Sequence, residues 1–213
     1  MNFKLIFITL FSISVLLGTI YSKHMKINKN FFVLKPLTLI SIIIMGVLSQ
    51  NIDRNILNQL ILIGILFSLL GDILLMFGKK EFLIGMGAFF LTHIFYINAF
   101  ILDGFHLNYI FIFFTSLFSI LFYLFIYSSL NSHKIPVLIY SLAISTMLIT
   151  SRSYFQLHDN INGKLILLGA ILFTISDILL AIKQYKGEFP YCSTLVYLTY
   201  FSGQYFICLT MWY

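Results

Sequence analysis

Leu60-Ile61-Leu62-Ile63-Gly64-Ile65-Leu66-Phe67-Ser68-Leu69-Leu70-Gly71-Asp72-Ile73-Leu74-Leu75 has a partial copy 105 residues later, from Leu165 to Leu180. The two stretches share Leu62/Leu167, Gly64/Gly169, Asp72/Asp177 and the Ile-Leu-Leu that follows each aspartate. With its flanks, each copy is long and apolar enough to cross a bilayer, and each carries one carboxylate into it. A carboxylate in hydrocarbon costs several kcal/mol even on lenient scales, so it is kept where it is paired, hydrated or chemically used.

Composition agrees with the membrane reading. Only 9% of the 213 residues are charged and 60% are apolar, with a mean hydropathy of +0.99. A soluble domain of this size could not present that much apolar surface without aggregating. A helical span needs about 20 mainly apolar residues. That template fits eight times, at 3–22, 31–49, 56–78, 82–101, 107–129, 135–151, 164–182 and 190–211. The fold class is therefore all-α, a polytopic membrane protein with eight transmembrane helices in one domain, 1–213. Lys4 ahead of an apolar stretch also admits a signal peptide, but Gly18 to Ser22 makes a poor cleavage site, so the first span is kept as a helix. Spans two and six begin alike, with Lys35-Pro36 and Lys134-Ile135-Pro136 read as first helical turns, where proline is tolerated. Four spans separate the copies, so a repeat of 1–101 and 107–213 would form two parallel four-helix halves.

The 13 Lys and Arg against 7 Asp and Glu leave a net charge of +6. Its distribution points to membrane lipids as the partner, with no nucleic acid implied. The loops after spans one, three, five and seven hold Lys23, Lys26, Lys29, Lys35, Lys79, Lys80, Lys134, Lys183 and Lys186; the other side holds Lys4, Arg54, Arg152 and Lys164. Nine against four places the odd loops in the cytoplasm and both termini outside, in the inner membrane if the source is bacterial. Cys192 and Cys208 lie about 24 Å apart along one helix, too far to bridge.

Small and polar residues share faces with the two acids. Span three presents Gly64, Ser68 and Asp72, and span seven presents Ala170, Thr174 and Asp177, each set on one helical face. Counted from Lys79 and Lys183, both aspartates sit about 9–10 Å below the cytoplasmic boundary. Two carboxylates near one another in a low dielectric would not both ionise, which leaves one acid and one base. That pair suits hydrolysis through an oxocarbenium-like state. Span four adds His93 and Tyr96 one turn apart; His24, His106, His133 and His158 fall in loops or near span ends. One intramembrane histidine cannot build a multi-His zinc site, so neither metal nor cofactor is expected. Span eight carries a stripe of Ser193, Tyr197, Tyr200, Gln204 and Cys208 that must face protein or a wet cavity. Gln204 is the deeper cavity candidate and Tyr197 an interfacial anchor. Lys35 could hold a lipid phosphate, neutralise an aspartate or snorkel. No Gly-x-Ser-x-Gly or phosphate loop is present.

Four ordered motifs then resemble the YhhN family, which includes the lysoplasmalogenases. They are Lys35-Pro36-Leu37, Phe67 to Met76 around Gly71-Asp72, Gly87 to Tyr96 ending in His93-Ile94-Phe95-Tyr96, and Ser176 to Ala181 around Asp177. The resemblance implies an eight-helix hydrolase that cleaves the vinyl ether bond of lysoplasmalogens, lysophospholipid substrates, to a fatty aldehyde and a glycerophospho-base. It maps the family's acidic motifs onto Asp72 and Asp177 as catalytic residues and its His-x-x-Tyr onto His93 and Tyr96. Lys35, Ser68, Tyr200 and Gln204 are the further substrate-binding or supporting candidates. The competing reading is a small transporter or proton-coupled channel with paired carboxylates at a symmetry axis. His93, Tyr200 and Gln204 have only Leu198, Phe95 and Ala99 at the repeat offset, an asymmetry that favours the enzyme. A lipid-binding scaffold, the third class, would tolerate loss of either acid. For the orientation, cysteines introduced at 183–186 should be labelled only from the cytoplasmic side; labelling from outside would invert the topology.

Overall fold

The computed structural model describes residues 3–49, 55–78 and 81–213; Arg54, Lys79 and Lys80, used above in the charge map, lie outside the described residues. Among the described residues eight α-helices follow one another: α1 (Phe3–His24), α2 (Asn28–Val47), α3 (Ile56–Leu74), α4 (Phe82–Phe100), α5 (Tyr109–Tyr127), α6 (Lys134–Leu157), α7 (Ile161–Tyr185) and α8 (Cys192–Leu209). By length and composition α1 to α7 can each cross a membrane. The eighth, α8, is not among them because it carries the polar stripe, and it is packed on α7, α2, α1 and α3. The chain is a multi-pass helical membrane protein.

Local chemistry sets the helix ends. Asn55, Asn108 and Asn160 cap α3, α5 and α7, accepting from the backbone N–H of Leu57, Phe111 and Gly163 at 3.0, 3.0 and 3.1 Å. The sequence-predicted spans err mainly where polar residues continue a helix. Most notably, α2 starts at Asn28, so Pro36 lies two turns inside it and not in the first turn. Lys35 is accordingly 6% exposed within the bundle and is not a loop charge. Pro136 does occupy the first turn of α6.

Packing is closest between α3 and α4 and between α7 and α8. Close approach explains the glycines there. A methyl group on Gly169 would lie 2.8 Å from the Gly203 carbonyl oxygen and 3.1 Å from the Ile207 nitrogen, and one on Gly203 would meet Gly169 O at 2.9 Å. The helices cross backbone to backbone, as small residues permit in membranes. Neighbours recur at an interval of four helices: α1–α2 with α5–α6, α2–α3 with α6–α7, and α4–α6 with α8–α2. The core holds Leu39, Ile42, Met45, Ile61, Ile65, Tyr96, Phe100, Phe173 and Phe201, all nearly inaccessible. In contrast, α5 buries only Ile126 and turns Phe113, Phe114, Phe118 and Phe125 outward, as a lipid-facing helix does.

Gly169→Val should destabilise the fold by about 1–3 kcal/mol through overpacking. Gly87→Ala, where an added methyl meets nothing within 4 Å, should leave the thermal midpoint in detergent unchanged. Equal midpoints for the two variants would refute this account of the α7–α8 crossing.

Candidate active site

A cavity of about 360 Å³ lies among α1, α2, α3, α4, α7 and α8. It descends from the exposed Lys23, Asn28 and Gln184 to the buried Asp72 and Asp177. Both repeat aspartates therefore line one space, but each has a basic partner of its own. The expected proton-sharing pair of carboxylates is replaced by two separately matched acids.

Asp72 is matched by Lys35. The Lys35 ammonium stands 2.9 Å from Asp72 Oδ1 and also donates to the Asp72 backbone carbonyl at 3.4 Å. Of the roles open to this lysine, the structure gives it neutralisation of the aspartate. Tyr200 of α8 lies beside the same carboxylate, with its hydroxyl 3.5 Å from the Ser68 carbonyl. The second oxygen, Asp72 Oδ2, has no hydrogen-bond partner among the described residues.

Asp177 is matched by His93, which α4 brings across the bundle. Nδ1 of His93 lies 2.6 Å from the Phe89 carbonyl. A carbonyl only accepts, so Nδ1 carries a proton. Nε2 then stands 3.2 Å from Asp177 Oδ2, an ion-pair distance without the alignment of a hydrogen bond, and among the described residues neither atom has a hydrogen-bond partner. A bare ring nitrogen would repel a bare carboxylate at that distance, so one proton belongs to this contact, carried by the ring or by the acid. His93 is wholly buried, stacks on Phe173 at 4.9 Å and meets Tyr140 edge-on at 5.3 Å. Tyr140 also lies beside Asp177.

The remaining predicted residues divide in two. Tyr200 and Lys35 line the cavity. Ser68, Tyr96 and Gln204 do not. Gln204 donates to the Ser68 hydroxyl at 2.8 Å and accepts from Tyr96, while Thr92 joins Ser68 at 3.0 Å and donates to the Gly64 carbonyl at 3.0 Å. All four side chains are fully buried, so they form a satisfied clamp across α3, α4 and α8 behind the cavity wall. Gln204 supports the site and does not face its interior. Tyr197, read as an interfacial anchor, is buried and lines the cavity instead. On α7, Ser176 shares the inward face with Asp177, while Thr174 turns toward α5 and α6. Sequence reading missed Tyr140, although it sits at the repeat offset of 105 from Lys35, the signal that could have found it.

A second, narrower space runs between α5, α6 and α7, lined by apolar side chains that include Phe118, Phe122, Ile144 and Leu148. Asp177 and Tyr140 border it as well. Asp177 thus stands at the junction of a polar cavity and an apolar groove. Among the described residues no three His, Cys, Asp or Glu side chains come together as a metal site.

No curated protein and no solved structure matches this chain. The model of the YhhN family matches residues 30–211, almost the full length and all the elements that build the cavity except α1, and the chain is therefore a member of the YhhN family.

Proposed function

We propose that this protein is an intramembrane hydrolase that cleaves the vinyl ether bond of lysoplasmalogens, using Asp177 with His93 as the proton donor and Asp72 as the carboxylate that steadies the cation and receives a proton from water. The observation that carries this reading is the 3.2 Å contact of His93 Nε2 with Asp177 Oδ2, at the boundary of polar cavity and apolar groove.

The chemistry assigns the roles. In a vinyl ether the first proton goes to the alkene carbon remote from oxygen, which lies on the chain side of the bond. With the alkenyl chain in the α5–α6–α7 groove, that carbon comes to Asp177, while oxygen and glycerol project into the polar cavity. Proton transfer leaves an oxocarbenium ion, and the Asp72 carboxylate, whose Oδ2 has no hydrogen-bond partner among the described residues, supplies the opposing charge. Water adds to the cationic carbon and gives up a proton to Asp72. The hemiacetal collapses as its hydroxyl gives a proton back to the Asp177–His93 pair and the ether oxygen takes the one held by Asp72, which restores both groups. The products are a fatty aldehyde and a glycerophospho-base, with one water consumed and no net proton. No metal, cofactor or covalent enzyme intermediate takes part in this scheme. The excess of basic residues in the odd loops supports a cavity mouth, and so an active site, that faces the cytoplasm.

A proton-coupled transporter is the alternative from another class. The different partners of the two aspartates, Lys35 and Tyr200 for one and His93 and Tyr140 for the other, support the enzyme, since an acid and a base need unlike surroundings.

Purified protein should release fatty aldehyde from a lysoplasmalogen and none from its saturated alkyl ether, which cannot form the oxocarbenium ion by protonation. Asp177→Asn and His93→Phe should each lower the rate by about 10²–10⁴, the usual contribution of a positioned acid. Asp72→Asn is best tested together with Lys35→Gln, so that no unpaired charge is left buried. Aldehyde release by folded Asp177→Asn at the wild-type rate would sink the mechanism.

A further inference from the structure

Among the described residues three lysines from three helices line the polar cavity: Lys23 at the end of α1, Lys35 in α2 and Lys183 at the end of α7. Lys26, Lys29 and Lys186 lie near the same helix ends and stay outside it. The acids available to the three are unevenly shared. Asp72 is taken by Lys35 at 2.9 Å, and Glu188, on the α7–α8 loop, is taken by Lys183 at 3.0 Å. Among the described residues Lys23 has no carboxylate within ion-pair distance; it rests over the Phe31 ring at 5.0 Å while sensing the charges of Lys183, Glu188 and Lys35. Lys23 is therefore, among the described residues, the cavity lysine left without an acid of its own.

We infer that Lys23 and Lys183 form a binding site for a phosphate group at the cavity mouth, and that the Glu188 carboxylate fills this site until a phosphate displaces it. The inference rests on the lysolipid reading of the cavity, to which it adds the means of headgroup recognition.

Three observations support the exchange. The Glu188 side chain is 72% exposed, so its pair with Lys183 is screened and readily given up. Lys183 nevertheless holds the Glu188 carboxyl below its ordinary range, so the rim carboxylate is a ready anion at neutral pH. A phosphate offers several acceptor oxygens and can engage both lysines at once, which one carboxylate at the rim does not do here. The Ser193 hydroxyl, 2.8 Å from the Lys183 ammonium, adds a further donor on the cavity wall. Distance along the fold also agrees. Lys183 follows Asp177 by six residues, about 9 Å along α7, a span that a glycerol unit and a lysine side chain together cover. Headgroup at the lysines, ether bond at Asp177 and chain in the groove then form one continuous path.

The test uses ligands that cannot be cleaved, so it reads recognition separately from hydrolysis. Isothermal titration in detergent compares a saturated 1-alkyl lysophosphatidylethanolamine, the matching 1-alkylglycerol and glycerol phosphate. The wild-type protein should bind the phosphorylated lipid about 10–100-fold more tightly than the alkylglycerol, about 1.4 to 2.7 kcal/mol. Lys23→Gln with Lys183→Gln should remove that preference and leave alkylglycerol binding unchanged. Glu188→Gln should tighten the phosphorylated lipid several-fold and leave alkylglycerol alone. Glycerol phosphate binding with the same sensitivity would mark the site as one for free phosphate esters, whereas its absence assigns the lipid headgroup. The inference falls if the wild-type protein shows no phosphate preference, if the double variant keeps it, or if Glu188→Gln weakens the phosphorylated lipid. Failure of aldehyde release, by contrast, would overturn the hydrolase reading and leave these binding results standing.

Discussion

Everything in this bundle is arranged around the difficulty of keeping two carboxylates buried inside a membrane. An unpaired ion in hydrocarbon is so unfavourable that each aspartate has to be met by a group from another helix, and the meeting ties helices together. Asp72 on α3 is held between Lys35 of α2 and Tyr200 of α8; Asp177 on α7 is held between Tyr140 of α6 and His93 of α4. Each acid therefore calls on the helix before it and on one from the opposite half of the chain. The glycine crossings of α7 on α8 and the buried hydroxyl and amide clamp between α3, α4 and α8 keep those partners from drifting. A polar network that is fully satisfied is stiff, and its stiffness holds the side chains around the cavity in place.

Much of this was legible from the chain alone, and the failures have physical causes. The two aspartates announced themselves by cost, since a carboxylate inside twenty apolar residues has few innocent explanations. Helical spacing put Gly64, Ser68 and Asp72 on one face, and all three are buried together. Periodicity does not say which helices touch, so the pairing of His93 with Asp177 and of Lys35 with Asp72 required the fold. Lys35 was placed at a helix entrance because Pro36 looked like a first-turn proline; the polar run from Asn28 to Asn30 continues the helix instead, and the lysine is drawn inside. Gln204 and Ser68 looked like cavity groups because polar side chains at that depth need water or each other. They chose each other. Tyr140 went unnoticed because a tyrosine among leucines and isoleucines carries little signal on its own.

The orientation of the His93 ring has one more consequence. With Nδ1–H committed to the Phe89 carbonyl and the ring wedged between Phe173 and Tyr140, only Nε2 is left to exchange a proton, and it faces Asp177. An imidazole that passes protons through a membrane must take one up on one nitrogen and release it from the other. Here the rear nitrogen is sealed. The ring is a terminus: its free nitrogen faces Asp177, and the nitrogen on its other side is engaged by the Phe89 carbonyl.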